Sequence, residues 1–202
     1  MIYFSLDRSV QKRREKMAKS KREAIIQAAK KLFQVQGYHA TGINQIIEES
    51  GAPKGSLYYH FPNGKEEIAI AAIDSVKVEV RQELEQLLAG CDDPIEAMQA
   101  QLLHVAEKVF GDQPDFRIGL LASESANLNE NIREACKNAY EEWIATDTDY
   151  LMKKGYTKES ARQTAVLFHI LIEGAMTMSI TYKDASYFQL VAEQIPKIVK
   201  NI

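Results

Sequence analysis

The chain has few cysteines and none of the short motifs of metal, nucleotide or hydrolase chemistry. Its only cysteines, Cys91 and Cys136, fall in different predicted helices, and no close Cys/His spacing suits a zinc site. A P-loop, a dinucleotide-binding glycine pattern and the glycines of a nucleophile elbow are also missing. We therefore expect no metal, no cofactor and no catalytic residue, and a reduced cytoplasm as the setting.

Long hydrophobic runs are scarce as well. The longest, residues 164–180, contains His169 and Glu173 and is short for a membrane span, which favours a buried helix. Residues 1–6 are apolar but lack the flanking sequence and the small-residue cleavage site of a signal peptide. We therefore expect a cytoplasmic protein that does not enter a membrane.

Charge is unevenly distributed along the chain. The net charge of −3 by itself disfavours a nucleic-acid binder. Residues 1–65, however, carry 12 basic and five acidic side chains, whereas residues 66–202 carry 13 basic and 23 acidic ones. A basic N-terminal part on an acidic remainder directs one end of a protein toward phosphates. A basic tail is the alternative, because residues 1–19 contribute more than half of the excess.

A tight turn followed by a very short helix is predicted at residues 51–61. Gly51 supplies the turn, and Lys54 and Ser56 lie at the start of the helix, where a side chain can enter a major groove. Leu57 and Phe61 are four residues apart and anchor the helix from behind. With the short apolar-faced helix that precedes it, this pattern describes a helix-turn-helix.

The segments Gly37–Gly51 and Lys54–Ile68 resemble the DNA-binding domain of the TetR family of bacterial repressors, in the branch of LmrA/YxaF-like regulators. The resemblance covers residues 20–68. The Phe-Pro-Asn-Gly-Lys stretch carries one residue more than the commoner family version. Pro53 stands where the family usually has a capping Ser or Thr. Proline suits the first turn of a helix, so we expect the fold to persist without a capping side chain.

Apolar periodicity and turn residues predict an all-α fold of about nine helices, with an N-terminal three-helix helix-turn-helix domain and a larger C-terminal helical domain. The first helix is predicted to begin at Ser20. Thr41 is the predicted cap of the second helix, and Asn63 with Glu66 the predicted cap and partner at the fourth.

Three segments are predicted: a flexible basic leader over 1–19, a DNA-binding domain over 20–65, and an effector-binding and dimerisation domain over 66–202. Two interpretations of the leader stay open. The Lys, Arg and Glu residues of the stretch 11–16, directly before Met17, can all be written with purine-only codons, as in a ribosome-binding site, and Met17 would then be the natural start. Alternatively, the leader is a basic arm that adds phosphate contacts. In both cases we expect poor order.

The eighth predicted helix is apolar nearly all round from Ala165 to Ile172, so it must be covered on two sides. The ninth repeats the pattern more weakly. We expect these two helices to pair with their symmetry mates in a homodimer, as the resemblance also implies. The alternative is that the eighth helix is the central helix of a monomer core.

The resemblance implies which residues contact DNA. Base edges and phosphates would be met by Thr41, Asn44, Lys54, Gly55, Ser56, Tyr58, Tyr59, His60 and Lys65. Among these, Lys54, Gly55 and Ser56 are the expected base readers. Three alternatives stay open: Tyr58 packs on the domain core, His60 makes a structural hydrogen bond, or Lys65 is only a solvated charge.

The resemblance also implies an effector pocket in the C-terminal domain. The candidate lining residues are Met98, Leu102, Phe116, Leu121, Glu124, Trp143, Phe168, Ile172 and Met176. Plain core packing is the alternative for each of them. Glu124 and Glu173 stand among apolar neighbours and would suit a cationic ligand; a surface position for Glu124 and an interface hydrogen bond for Glu173 are the alternatives.

The leading hypothesis is a ligand-responsive transcriptional repressor that binds a palindromic operator as a homodimer. A small apolar or amphipathic effector would release it from double-stranded DNA. One alternative is an architectural DNA-binding protein without an effector, which the acidic C-terminal part disfavours. The other is a small helical hydrolase, for which Ser123 and Ser125 lack the flanking glycines of a nucleophile elbow.

Overall fold

The computed structural model describes the backbone of residues 3–111, 117–125 and 129–199, and within these residues it contains nine helices and no strand. The predicted all-α fold is thereby confirmed. The helices are α1 Tyr3–Ala40, α2 Ile43–Ser50, α3 Lys54–His60, α4 Lys65–Ala89, α5 Pro94–Phe110, α6 Ile118–Ser125, α7 Glu130–Lys153, α8 Lys158–Tyr182 and α9 Ser186–Val199.

The first helix begins earlier than predicted, at Tyr3 rather than Ser20. No glycine or proline interrupts residues 3–36, and the stretch before Ser20 is rich in Lys and Arg, which are good helix formers. The helix therefore continues through Ser20 toward the N-terminus instead of beginning at a Ser20 cap. That residues 1–19 form a flexible leader in solution stays a prediction.

Two predicted helix caps are wrong. The cap of α2 is Gly42, whose N–H donates to Gln45 Oε1 at 2.8 Å, whereas the Thr41 hydroxyl donates to the Gly37 carbonyl at 2.7 Å. Before α4, the Asn63 N–H donates to the carboxylate of Glu67 rather than Glu66. Thr41 thus binds the carbonyl four residues before it, and Glu66 instead accepts from the distant Asn129 and Asn131.

The chain forms two compact units. The first unit comprises Met1–Asp74 and Phe116–Ala135, and the second comprises Ser75–Asp115 and Cys136–Ile202. The divisions fall inside α4 and α7, so a long segment beyond residue 65 belongs to the first unit. The predicted boundary at 65/66 divides DNA binding from effector binding and dimerisation rather than compact units, and it stays a prediction.

The core of the first unit is built where α1 packs against α2, α3 and α6. Ile25 and Phe33 of α1, Ile46 of α2 and Leu57 of α3 are each 2% exposed or less, and so is Phe61 just after α3. Leu57 and Phe61 therefore hold the short α3 from behind, as their spacing predicted. Full burial of each such side chain contributes about 1.5–3 kcal/mol.

The core of the second unit lies where α5, α8 and α9 pack together. It is formed by Met98 and Leu102 of α5, Phe168 and Ile172 of α8, and Phe188 of α9, with further apolar side chains around them. By length and composition alone, α8 is also long and apolar enough to cross a membrane. Its buried residues instead belong to this core, in agreement with the predicted buried helix.

Gly37 breaks α1 before its end. Its backbone has φ 83° and ψ 166°, a region that essentially only glycine adopts. The break frees the N–H of Tyr38 from the helix, and this N–H donates to Glu124 Oε2 of α6 at 2.7 Å. A Cβ at position 37 would collide with the same carboxylate. The glycine thus makes both the break and the space that Glu124 fills.

We expect Gly37→Ala to lower the free energy of unfolding by about 2 kcal/mol or more, because the substitution is strained and displaces Glu124. Gly55→Ala is the matched control. Its new Cβ would meet no atom within 4 Å in an exposed helix, so it should stabilise by about 0.5–1 kcal/mol or leave stability unchanged. Urea unfolding of both variants measures the difference, and equal stabilities would contradict this account of Gly37.

Candidate nucleic-acid interface

The turn between α2 and α3 has the backbone that a helix-turn-helix requires. Gly51 closes α2 in the left-handed conformation, with φ 62°, and its N–H donates to the Glu48 carbonyl at 3.2 Å. The Pro53 carbonyl then starts α3 by accepting from the N–H groups of Ser56 and Leu57, at 2.8 and 3.2 Å. No side chain caps α3, as the proline at this position predicted.

One face of α3 packs inward and the other faces solvent. Leu57 is fully buried, whereas Lys54 and Gly55 are exposed. Tyr59 keeps 78% of its surface exposed and Tyr58 keeps 42%. More than half of the Tyr58 surface is therefore covered, and packing on the domain core stays the alternative to a DNA contact. The exposed face carries the side chains that the sequence analysis assigned to DNA.

The remaining predicted contacts, Asn44, Ser56 and His60, differ in their exposure. His60 is half-buried, and its ring meets the edges of Tyr59 and Phe61 at centroid distances of 5.0 and 6.4 Å. Ser56 is half-buried near the start of α3, and Asn44 is exposed on α2. These three side chains stay compatible with phosphate or base contacts.

Lys65 and Thr41, by contrast, are engaged inside the first unit. The Lys65 ammonium donates to the carbonyls of Tyr38 and Thr41, each at 3.0 Å, and lies 4.4 Å from the centre of the Tyr38 ring. Burial lowers the pKa of Lys65, and the nearby Glu124 carboxylate opposes that lowering. Thr41 is 1% exposed. Both side chains hold the α1–α2 connection, and Lys65 is not merely a solvated charge.

The junction around Lys65 extends through the first turn of α4. The Glu66 carboxylate accepts hydrogen bonds from the side chains of Asn129 and Asn131, at 2.8 and 2.7 Å. These donors lower the pKa of Glu66. Asn129 also accepts from the N–H of Ile132 at the start of α7. The first turn of α4 is thereby tied both to the α1–α2 connection and to the start of α7.

Arg22 is a cation that the sequence analysis missed. It is exposed on α1, and its guanidinium lies 5.3 Å from the centre of the Phe61 ring, directly after α3. No spacing in the sequence links residues 22 and 61, so only the tertiary structure brings this charge beside the recognition helix. Lys31, also on α1, is instead paired with Glu49 at 2.6 Å.

The predicted pocket residues do not all belong to one unit. Leu121 and Glu124 lie in the first unit, where Leu121 is 2% exposed and Glu124 binds the end of α1. Phe116 lies outside the described residues. The second unit contains the other six, which are Met98, Leu102, Trp143, Phe168, Ile172 and Met176. All but Met176 are at most 9% exposed.

The two acidic candidates both have protein partners. Glu124 is half-buried, and its carboxylate accepts from the Tyr38 N–H of α1. This contact takes the place of both the surface position and the ligand contact considered from the sequence. Glu173 of α8 accepts a hydrogen bond from the Tyr140 hydroxyl of α7 at 2.6 Å. Among the described residues, no group of three or more His, Cys, Asp or Glu lies close enough together to hold a metal ion.

Two family models match the chain. The model for bacterial regulatory proteins of the tetR family matches residues 25–72, which include α2, α3 and the start of α4. The model for the C-terminal domain of LmrA/YxaF-like transcriptional regulators matches residues 94–194. Together they account for the candidate DNA-binding surface and for most of the second unit.

Similar proteins agree with these matches. The HTH-type transcriptional regulators YxaF and LmrA of Bacillus subtilis strain 168 are 43% and 41% identical to this chain, over 182 and 181 residues. Each alignment covers 89% of the chain, with 95% of YxaF and 96% of LmrA. A TetR transcriptional regulator from Chloroflexus aurantiacus J-10-FL has the same fold, with a TM-score of 0.78 at 24% identity, over 92% of this chain and 97% of that one.

Replacing Lys65 and replacing Lys54, the two lysines assigned to DNA from the sequence, should have different effects on stability. We expect Lys65→Met to lower the free energy of unfolding by about 1–2 kcal/mol, because the carbonyls of Tyr38 and Thr41 each lose the hydrogen bond from Lys65. Lys54→Met is the matched control and should change it by less than about 0.5 kcal/mol, because Lys54 is exposed. Thermal unfolding monitored by circular dichroism tests this; equal effects would mean that the Lys65 hydrogen bonds contribute nothing.

Proposed function

Because the chain belongs to the TetR family of bacterial transcriptional regulators, we propose that it is a repressor that binds a palindromic operator as a homodimer and leaves it when a small apolar or amphipathic molecule binds. The family binds DNA and regulates transcription, and the chain is a regulator rather than an enzyme. The cytoplasm is the proposed location. The exposed face of α3 is the observation that carries the DNA-binding part of the proposal.

Base readout is assigned to the first turn of α3. Lys54 supplies a flexible cation, Gly55 lets DNA approach the backbone closely, and Ser56 supplies a hydroxyl. Tyr59 is assigned to a phosphate, because its side chain is exposed. Arg22 is added as a further phosphate contact, because it lies beside the end of α3.

Phosphate contacts from Asn44, Tyr58 and His60 are kept in the proposal. Thr41 and Lys65 are assigned instead to positioning α2 and α3, because their polar atoms already have partners. In this role their hydrogen bonds would keep the helix-turn-helix rigid while its exposed face contacts DNA. A seven-residue recognition helix reads few bases alone, which favours two copies on two half-sites.

The proposed dimer partner is a second copy of the chain, seated on α8 and α9. On α8, Leu167, Ile170, Met178 and Tyr182 are 40–62% exposed, and on α9 Leu190 is 56% exposed. Large apolar side chains on one helix pair are unfavourable in water when they form a continuous patch. A groove along the first half of α8 is lined by Lys158, Glu159, Arg162, Gln163, Val166, Leu167 and Ile170.

Release by an effector would act through α4. This helix is continuous from Lys65 to Ala89 and contributes residues to both compact units. Its first turn holds the α1–α2 connection through Lys65 and the start of α7 through Glu66. An effector that prefers a different position of α4 would therefore disturb α2 and α3. Its preference for the DNA-incompetent state sets the upper limit of the effect.

Selection of bound sequences from a random DNA pool tests the proposal directly. We expect a palindrome with two half-sites, and weaker binding of random DNA at every salt concentration. An architectural protein would show little preference between selected and random DNA, and this result would replace the repressor with the second candidate function.

On the selected operator, Lys54→Ala and Tyr59→Ala should each weaken binding by about tenfold or more. The Lys54→Ala variant should also relax the sequence preference at the base pair that Lys54 contacts, since Lys54 is assigned to a base edge. Lys153→Ala is the matched control, an exposed lysine in the second unit that should leave affinity unchanged. Fluorescence anisotropy measures all three, and wild-type affinity in both test variants would contradict the assigned surface.

The wild-type chain should sediment as a dimer at micromolar concentration. We expect Ile170→Glu to dissociate it, because Ile170 is 61% exposed on the proposed interface. Leu103→Glu is the matched control, at a leucine that is 58% exposed on α5. Ile172 is unsuitable for this test because it lies in the core of the second unit. A wild-type species of 22.8 kDa would exclude the dimer.

A further inference from the structure

Gly174 lies within the exposed face of α8, and its own chain gives no reason for a glycine there. The residue is exposed in the helix interior, and a Cβ added to it would meet no atom of the described residues within 4 Å. A glycine in a helix interior lowers the equilibrium constant for helix formation about fivefold relative to alanine. Packing among the described residues does not offset this cost.

Large apolar side chains stand on both sides of Gly174. Ile170, four residues before it, is 61% exposed, and Met178, four residues after it, is 40% exposed. Leu167, one turn beyond Ile170, is 42% exposed. Residues at these spacings share one face of a helix. The exposed face of α8 therefore has a depression at Gly174, between two apolar side chains.

The polar groups near this depression already have partners. Among Asp, Glu, Lys and Arg, residues 163–182 contain only Glu173, and Glu173 accepts a hydrogen bond from Tyr140 of α7. The hydroxyl of Thr181, seven residues after Gly174, donates to the Thr177 carbonyl at 2.8 Å. The face can therefore be covered by an apolar surface without leaving these groups unsatisfied.

A helix backbone fits a depression of this kind. Packed helices usually lie 8–10 Å apart, depending on the side chains at the contact, and a position without a side chain lets two backbones come closer. Leu167, Ile170 and Met178 would each keep a second helix at the usual distance. Gly174 is therefore the position on this face where another helix can approach most closely.

A second copy of the chain is the partner that fits, because the face is self-complementary. In a twofold-symmetric dimer, a residue at the crossing of two identical helices meets its own counterpart. Ile170 and Met178 are equally far from Gly174. They would therefore meet each other's counterparts if the two helices run antiparallel, and their own if the helices run parallel. Both arrangements bring apolar side chains together.

We infer that α8 crosses the α8 of a second copy at Gly174, with the two backbones in contact. This inference rests on the proposed homodimer, and it identifies the residue at which the two copies are closest. Gly174 is thus retained for association rather than for folding of the single chain. Replacing it should weaken the dimer and at the same time strengthen the helix.

Sedimentation equilibrium of the full-length chain tests the first effect. We expect Gly174→Leu to raise the dimer dissociation constant by about a hundredfold, because the new side chain separates two backbones in contact. Ala89→Leu is the matched control, since it adds the same bulk at an exposed position of α4, and it should leave the dissociation constant unchanged. A Gly174→Leu dimer of wild-type affinity would overturn the crossing and leave the dimer standing.

Urea unfolding tests the second effect, in a background where the chain is monomeric. In Ile170→Glu, we expect a further Gly174→Ala change to raise the equilibrium constant for folding about fivefold. A lower constant would mean that Gly174 serves the fold of the single chain, which would overturn the inference. A monomeric wild type would reject the proposed dimer and the crossing together, and would leave the face of α8 to another partner.

Disulfide formation provides a test that does not depend on these variants. Cys136 is buried and Cys91 is half-buried, so Cys91→Ser removes the more accessible native thiol. In this background, Gly174→Cys should form a covalent dimer with oxidised glutathione, because a disulfide spans Cα–Cα distances of about 4.4–6.8 Å. Leu103→Cys, at an exposed position of α5, is the control. Equal yields of covalent dimer from the two variants would contradict a crossing at Gly174.

Discussion

The break of α1 at Gly37 is the constraint on which the candidate DNA-binding surface depends. A backbone that only glycine adopts frees the N–H of Tyr38, and the Glu124 carboxylate takes it. Tyr38 and Thr41 then offer their carbonyls to Lys65 at the start of α4. The orientation of α2 and α3 therefore follows from hydrogen bonds to backbone groups that a continuous helix would have satisfied itself.

The second unit differs from the first because hydrogen bonds between polar side chains lie within its apolar packing. The buried carboxylate of Asp147 is held by Gln101 and His169, and Glu173 by Tyr140. Apolar side chains of equal volume would pack as well without the desolvation cost of these groups. Their hydrogen bonds instead join α5, α7 and α8 at fixed positions along each helix.

Sequence patterns predicted the secondary structure well where periodicity and a breaker agreed, as at Gly51, and they identified the exposed residues of α3. They were less informative for the roles of single polar side chains. Lys65 and Glu124 were assigned to a phosphate and to a ligand, whereas each binds the backbone around Tyr38. A spacing rule cannot anticipate a carbonyl or an N–H that becomes available only through tertiary packing.

The sequence by itself determined the all-α architecture, the helix-turn-helix and the family, because these depend on local spacing: apolar periods, turn glycines and a short run of polar residues. Only the tertiary structure decided which polar groups meet. It placed Arg22 beside Phe61, and Gln101 beside Asp147 and His169, across separations that no period encodes. Hydrogen bonds between distant segments depend on the packing of whole helices, and so their partners become visible only in the folded chain.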